Sequence, residues 1–265
     1  VSQNANIVQI DIEARALGRY FPVTLGIQAD AKATADALIR AGESVTGNWQ
    51  AWLQKFHQDK QQLNELRHQE ATQPGTPMLP VRVLGEIREN LPRDAIVTVD
   101  TGNACLQAAD RLAHYQSPGL VAPLDFGLVG FAYAAAIGAQ AAARHRPVIA
   151  VMGDGGFGFT MTEMTTAVQY HLPVIAVVID NQAWGAEKAY QKEFFEGRLL
   201  GAEISSPDYA ALAELCGARG YRVDQPGDTA KALKQALADR KPAVIHVSVD
   251  PDALSALRKD LFKKK

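Results

Sequence analysis

VIAVMGDGGFGFTMTEMTTAVQYHLPVIAVVIDNQAWGAEK, residues 148–188, reads as an apolar strand, a glycine turn carrying one acid, an amphipathic helix, a second apolar strand and a polar turn opening with Asp180 and Asn181. A strand that feeds glycines into a helix start leaves backbone N–H groups free where a phosphate can sit. Asp154 inside that turn changes the meaning. A carboxylate beside a pyrophosphate is repulsive unless a divalent cation lies between them. Asn181, at the end of the next strand, offers a neutral oxygen to the same cation. The residue types therefore point to a metal and a diphosphate together.

Two other readings fit part of the same stretch. Gly153, Gly155 and Gly158 match G-x-G-x-x-G, and Asp180 falls about where a dinucleotide fold places its ribose-binding acid. That reading leaves Asp154 facing a pyrophosphate with no compensating charge. A tight turn whose glycines only allow close strand–helix packing would explain the glycines alone. It leaves Asp154 and Asn181 without a purpose, although Asp154 as a helix N-cap and Asn181 as an ordinary turn residue stay open.

Outward from this stretch the pattern is regular. Helices are expected over residues 81–91, from near Gly102, and over 130–144, 208–216 and 229–239. Strands are expected over 95–99, around Leu120, and over 148–152, 174–179, 221–223 and 243–249. Apolar strands alternating with helices predict an α/β fold, a mainly parallel sheet with helices on both faces. Ligands in such sheets bind beyond the carboxyl ends of the strands. The turns at 102–103, 153–156 and 181–185 each follow a strand and can converge there. Towards the amino terminus, residues 7–12 read as a strand and 30–41 as a helix, a unit too small to bury its own core. A polar helical stretch covers 49–70. TQPGTPMLP, residues 72–80, reads as a linker because of its three prolines and glycine.

The composition is 47% hydrophobic and 21% charged with a formal net charge of −2, which gives no reason to expect nucleic acid as a partner. Two cysteines, Cys105 and Cys216, are too few for a disulfide framework and read as small packing residues in a reducing, cytoplasmic setting. No apolar run reaches membrane-spanning length, so no membrane association is expected. The cluster Arg258, Lys259, Lys263, Lys264 and Lys265 reads as a solvated tail.

G-D-G at residues 153–155, followed after 25 residues by Asn181, resembles the signature of the thiamin diphosphate-dependent enzymes, and the similarity extends over residues 79–249. The resemblance implies the thiamin diphosphate-binding fold and, here, its diphosphate-binding domain at 79–250. Residues 1–42 would be the end of a central α/β domain, 43–78 a linker and 251–265 a basic tail. The implied cofactors are thiamin diphosphate and Mg²⁺. The metal would be held by the side chains of Asp154 and Asn181 and the main-chain carbonyl of Ala183. The N–H groups of Gly155 and Gly156 would hold phosphate oxygens. Gly102, Asn103, Gly127, Gly153, Trp184 and Gly185 complete the implied cofactor site. Val129, in GLVGFAYAAAIGA, matches the apolar residue that wedges under the cofactor in this family, and it is smaller than the usual occupant.

Within the family, NQAWGAEKAYQKEFFEGRLLGAEI (181–204), DTGNACLQAADRL (100–112) and DFGLVGFA (125–132) resemble the sulfoacetaldehyde acetyltransferases. That likeness implies conversion of sulfoacetaldehyde and inorganic phosphate to acetyl phosphate and sulfite. An acetolactate synthase-like lyase or a 2-oxoacid decarboxylase is the alternative. A nicotinamide- or flavin-binding oxidoreductase and a non-catalytic assembly module are readings of other classes. Lys188, Lys192 and Arg198 are candidate phosphate donors, with solvated surface charge as the plainer reading of each. The family implies a homodimer or homotetramer and a pyrimidine-binding domain that carries the catalytic glutamate. Nothing resembling that domain precedes Val1, so the chain is expected to be the cofactor-binding part of a larger or split enzyme. No catalytic residue is assigned within it. Asp180 reads as a strand-end cap, Glu163 as a first-turn helix acid interacting with the dipole or backbone, and His171 as a helix C-terminal dipole partner. The remaining histidines, His57, His68, His114, His145 and His246, are scattered.

Overall fold

The computed structural model describes residues 4–255; the expected basic tail cluster lies outside them. The chain divides into two compact units, the first ending at Gln61 and the second starting at Gln62. In the first, β1 (Val8–Asp11) and β2 (Leu25–Gln28) pair in parallel. Helix α1 (Ala31–Gly42) starts at Asp30, whose carboxylate accepts the Ala33 N–H at 2.8 Å and satisfies one of the unpaired amides at the helix start. Strand β2 has no clear signal in the sequence, because LGIQ is short and interrupted by glycine. It forms where β1 offers a ladder. The polar helical stretch becomes α2 (Gln50–Thr72).

The second unit runs α3 (Pro80–Asn90), β3 (Ile96–Val99), α4 (Asn103–Arg111), β4 (Leu120–Val121) and α5 (Phe131–Ala142). It continues with β5 (Val148–Gly153), α6 (Asp154–Thr160), α7 (Met164–Gln169), β6 (Ile175–Asp180) and α8 (Gly185–Phe194). Helix α9 (Tyr209–Leu215), β7 (Arg219–Val223), α10 (Asp228–Asp239) and β8 (Ala243–Ser248) close it. The strands form one sheet in the order β4-β3-β5-β6-β8-β7, and every neighbouring pair is parallel.

Alternate strand residues supply two separate cores, as the two-residue period of a strand requires. Val97, Val99, Ile149, Val151, Val177 and Ile245 pack with Leu84 and Ile87 of α3, Ala108 of α4 and Leu233 of α10. On the other face Val148, Ala150, Met152, Ala176 and Val178 pack with Tyr133 of α5, Phe157 of α6 and Ala213 of α9. Covering both faces explains why these strands read as continuous apolar runs.

After β3 the chain moves outward to β4, then returns to place β5 on the opposite side of β3. The carboxyl ends of β3 and β5 therefore flank the point where the strand order reverses, the usual place for a ligand crevice in an open α/β sheet. Local details differ from expectation. The helix after Asp154 is broken into α6, a tighter turn at Met161–Glu163, and α7. The run read as a polar turn after Asn181 contains α8, whose mostly charged face hides its period. Met78, read as linker, is buried in the first core, and its carbonyl accepts the Asp250 N–H at 2.8 Å.

Candidate functional site

Every cofactor or metal residue expected from the sequence borders one cavity of about 230 Å³: Gly102, Asn103, Gly127, Val129, Gly153, Asp154, Gly155, Gly156, Asn181, Ala183, Trp184 and Gly185. They come from the ends of β3, β5 and β6 and from the turn leading into α5, four segments that only the parallel sheet brings to one edge. Asp100, Thr101 and Glu187, which carry no role in the sequence reading, line the same cavity.

Asp154 is fully buried at the first residue of α6. The N-cap position of this helix is Gly153, so Asp154 is its first-turn acid and does not occupy the capping position. Instead Oδ2 accepts the Ser206 hydroxyl at 2.7 Å, and the main-chain carbonyl accepts the Tyr209 hydroxyl at 2.9 Å. Oδ1 is buried and has no hydrogen-bond partner among the described residues. Burial pushes the carboxyl up to about 7; neighbouring Asp180 adds to the rise and the Ser206 hydroxyl opposes it. A buried acid with one unengaged oxygen and a second carboxylate nearby is a site whose charge calls for a cation.

Asp180 does more than cap its strand. Its Oδ1 accepts the Gln182 N–H at 2.9 Å, and the Gln182 side-chain amide donates to both carboxylate oxygens. His246 Nε2 lies 2.8 Å from Oδ2. Burial alone would raise the Asp180 carboxyl, but the hydrogen bonds from His246 and Gln182, with the neighbouring Asp154, outweigh it and hold it below its ordinary value. His246, one of the scattered histidines, thus meets an acid 66 residues away in sequence. Asp180 does not border the cavity. The dinucleotide reading needs that acid facing the ligand, and here it is committed to the turn behind.

That turn is held from the other side as well. Gln182 sits at φ +52°, and the chain doubles back so that Ala183 pairs with Glu203. Ile204 N–H donates to the Gln182 carbonyl at 3.0 Å, and Trp184 N–H donates to the Ala202 carbonyl at 2.8 Å. Ala183 is thus at a non-hydrogen-bonded position of the antiparallel pair, and its own carbonyl points away from Glu203.

Asp100, one residue beyond β3, was missed. Its buried carboxylate accepts N–H groups from Gly130 at 3.1 Å, Phe131 at 2.8 Å and Ala132 at 3.4 Å. Burial raises its carboxyl, while these amides pull against the rise. It pins the start of α5 and with it the turn bearing Val129. Gly156 must be glycine for the same reason, since a Cβ there would overlap Asp100 Oδ2. A Cβ on Gly155 would come within 2.6 Å of the Trp184 ring. Asn103 borders the cavity, but its Oδ1 already accepts the Ser255 N–H.

Other candidates fall elsewhere. Glu163 stands at the helix start that precedes α7, where an acid meets the dipole; its side chain accepts the Thr166 hydroxyl at 2.8 Å and makes no capping bond to the backbone. Lys188 is buried, with Nζ 3.2 Å from both the Pro251 carbonyl and Asp252 Oδ1, and Lys192 reaches Asp252 at 2.6 Å. Arg198 donates to the Phe195 carbonyl at 3.3 Å. None of the three borders the cavity. His171 adopts φ +51°, and its N–H donates to the Val168 carbonyl at 3.2 Å just past α7. Among the described residues no helix is long and apolar enough to cross a membrane, and no group of three or more His, Cys, Asp or Glu could hold a metal.

The family model described as thiamine pyrophosphate enzyme, C-terminal TPP binding domain, matches residues 100–247. The sulfoacetaldehyde acetyltransferase of Castellaniella defragrans is 31% identical over 285 residues, which cover 99% of this chain and 48% of that protein. The acetolactate synthase large subunit of Mycobacterium tuberculosis is 31% identical over 241 residues, covering 91% of this chain and 43% of that one. The chain spans about half the length of the curated relatives it matches. Among solved structures, the Rhodococcus jostii RHA1 thiamine diphosphate-dependent 4-hydroxybenzoylformate decarboxylase superposes with a TM-score of 0.76 at 24% identity, over 95% of this chain and 45% of that one. It shares the fold.

Proposed function

The chain belongs to the thiamin diphosphate-dependent enzymes, and from that premise we propose that it is the cofactor-binding part of an acetyltransferase that takes sulfoacetaldehyde and inorganic phosphate to acetyl phosphate and sulfite. The observation that carries the cofactor site is Asp154, buried at the carboxyl edge of the sheet with Oδ1 unengaged among the described residues. Asp154, the Asn181 side chain and the Ala183 carbonyl form a donor set of hard oxygens with a single carboxylate. That suits Mg²⁺, which takes one or two carboxylates and draws its other ligands from phosphate and water. The first-turn N–H groups of Gly155 and Gly156 would meet the diphosphate, and Val129 would support the cofactor rings from below. Bound there, thiamin diphosphate supplies carbanion stabilisation next to a carbonyl.

The protein's own task is placement. Asp100 fixes the Val129 turn, Gln182 fixes the Asn181–Ala183 turn, and Ser206 and Tyr209 hold Asp154. A pyrimidine-binding domain, in this or another chain, would supply the catalytic glutamate in a dimer or tetramer. The donor assignment rests on likeness across nearly the whole chain to several sulfoacetaldehyde acetyltransferases. Equal identity to an acetolactate synthase supports pyruvate as the alternative.

Calorimetric titration with thiamin diphosphate, with and without Mg²⁺, tests the site. Binding should require the metal and vanish in Asp154→Ala; binding indifferent to both would end the assignment. Phosphate-dependent formation of acetyl phosphate from sulfoacetaldehyde, set against turnover of pyruvate, separates the two donors.

A further inference from the structure

Asp154 is buried, yet its two oxygens have different surroundings. Oδ2 accepts the Ser206 hydroxyl at 2.7 Å, and Oδ1 has no partner among the described residues. Ser206 is itself held in place. Its N–H donates to Gln182 Oε1 at 3.3 Å, and the Gln182 amide nitrogen is clamped by both oxygens of Asp180. Three residues on, Tyr209 donates to the Asp154 carbonyl at 2.9 Å and fixes the main chain from which the carboxylate projects. The plane of the carboxylate is therefore set from two sides, and only one oxygen is left open.

We propose that Ser206 is a metal-selectivity residue: by engaging Oδ2 it keeps Asp154 a one-oxygen ligand and so favours Mg²⁺ over Ca²⁺. The inference rests on Asp154 being the metal ligand. Ca²⁺ takes six to eight oxygens and readily grips a carboxylate through both. Mg²⁺ is smaller, demands near-octahedral geometry and is served by a single carboxylate oxygen. A short hydrogen bond draws charge from Oδ2 and fixes the carboxylate plane, which handicaps the two-oxygen grip. It does not interfere with Oδ1. Ser206 is thus a positioning residue that acts through Asp154.

The test is calorimetric titration of Mg²⁺ and of Ca²⁺ into the metal-stripped intact enzyme, pyrimidine-binding domain included, in the presence of thiamin diphosphate. Loss of a hydrogen bond behind a metal ligand typically weakens affinity by about 10–100-fold. Ser206→Ala should weaken Mg²⁺ by about tenfold or more and Ca²⁺ by far less, so that the Mg²⁺/Ca²⁺ preference drops about tenfold. Ser206→Thr keeps the hydroxyl and should retain the preference. Equal losses for the two cations, an unchanged Ser206→Ala, or a Thr variant as poor as Ala would each overturn the proposal. Titrations that are the same in Asp154→Ala as in the parent would instead overturn the metal assignment itself, and the role of Ser206 with it.

Discussion

Replacing Gly156 by alanine would drive a methyl group into the Asp100 carboxylate. The new Cβ would overlap Oδ2 and lie 3.3 Å from Cγ and 3.7 Å from the Met152 methyl, so it has no direction of escape. Asp100 would have to swing away and give up at least the 3.1 Å bond from Gly130. A hydrogen bond to a charged acceptor contributes about 1.5–3 kcal/mol, and overpacking costs about 1–3 kcal/mol. Alanine in a helix regains up to about 1 kcal/mol over glycine. The net loss expected for Gly156→Ala is roughly 3 kcal/mol, read as the shift in urea midpoint at constant slope. The same change in an Asp100→Ala background meets no carboxylate. There it should be neutral or stabilising by up to about 1 kcal/mol, giving a coupling of roughly 3–4 kcal/mol between two residues 56 positions apart. A Gly156→Ala cost below about 0.5 kcal/mol, or one equal in both backgrounds, would refute the reasoning.

Phe157 is fully buried, with its ring edge-to-face against Tyr133 and Tyr209 at 5.3 and 5.0 Å between centroids. Phe157→Ala should cost about 3–5 kcal/mol in urea denaturation, and a loss under about 1 kcal/mol would mean that this face collapses around the gap. Tyr209→Phe removes only the hydroxyl bonded to the Asp154 carbonyl, so about 1 kcal/mol is expected by the same measurement, and no loss would show that bond to be energetically idle. Burial, with the Asp100 charge adding to it, pushes the Cys105 thiol up to about 11. At pH 8 roughly one part in a thousand is thiolate. An Ellman titration should therefore leave Cys105 unmodified in the folded chain and reach both cysteines only after unfolding; rapid labelling of two thiols in the native state would contradict its burial.

The sequence by itself determined the sheet, most of its helices and the three turns that border the cavity. Those signals are local: an apolar run of five or six residues, a glycine or asparagine where the strand ends, and a helix period after it. It also carried the placement of Asp154 and Asn181 at one cavity, because a single βα unit fixes both ends of that spacing. It missed β2 and α8, whose apolar pattern is too short or too charged to stand out and which form only against a neighbour.

What the tertiary structure alone decided is which partners hold each acid of the site. Asp100 meets the start of α5 from 31 residues away, Ser206 reaches Asp154 across 52, and His246 meets Asp180 across 66. These partners lie on strands or loops that become neighbours only when β3, β5, β6 and β8 align in parallel. In a linear reading each is an unremarkable acid, serine or histidine. The sequence therefore specifies which residues reach the edge of the cavity, and the sheet order decides how each is held, because a hydrogen bond depends on position in space and leaves no periodic trace along the chain.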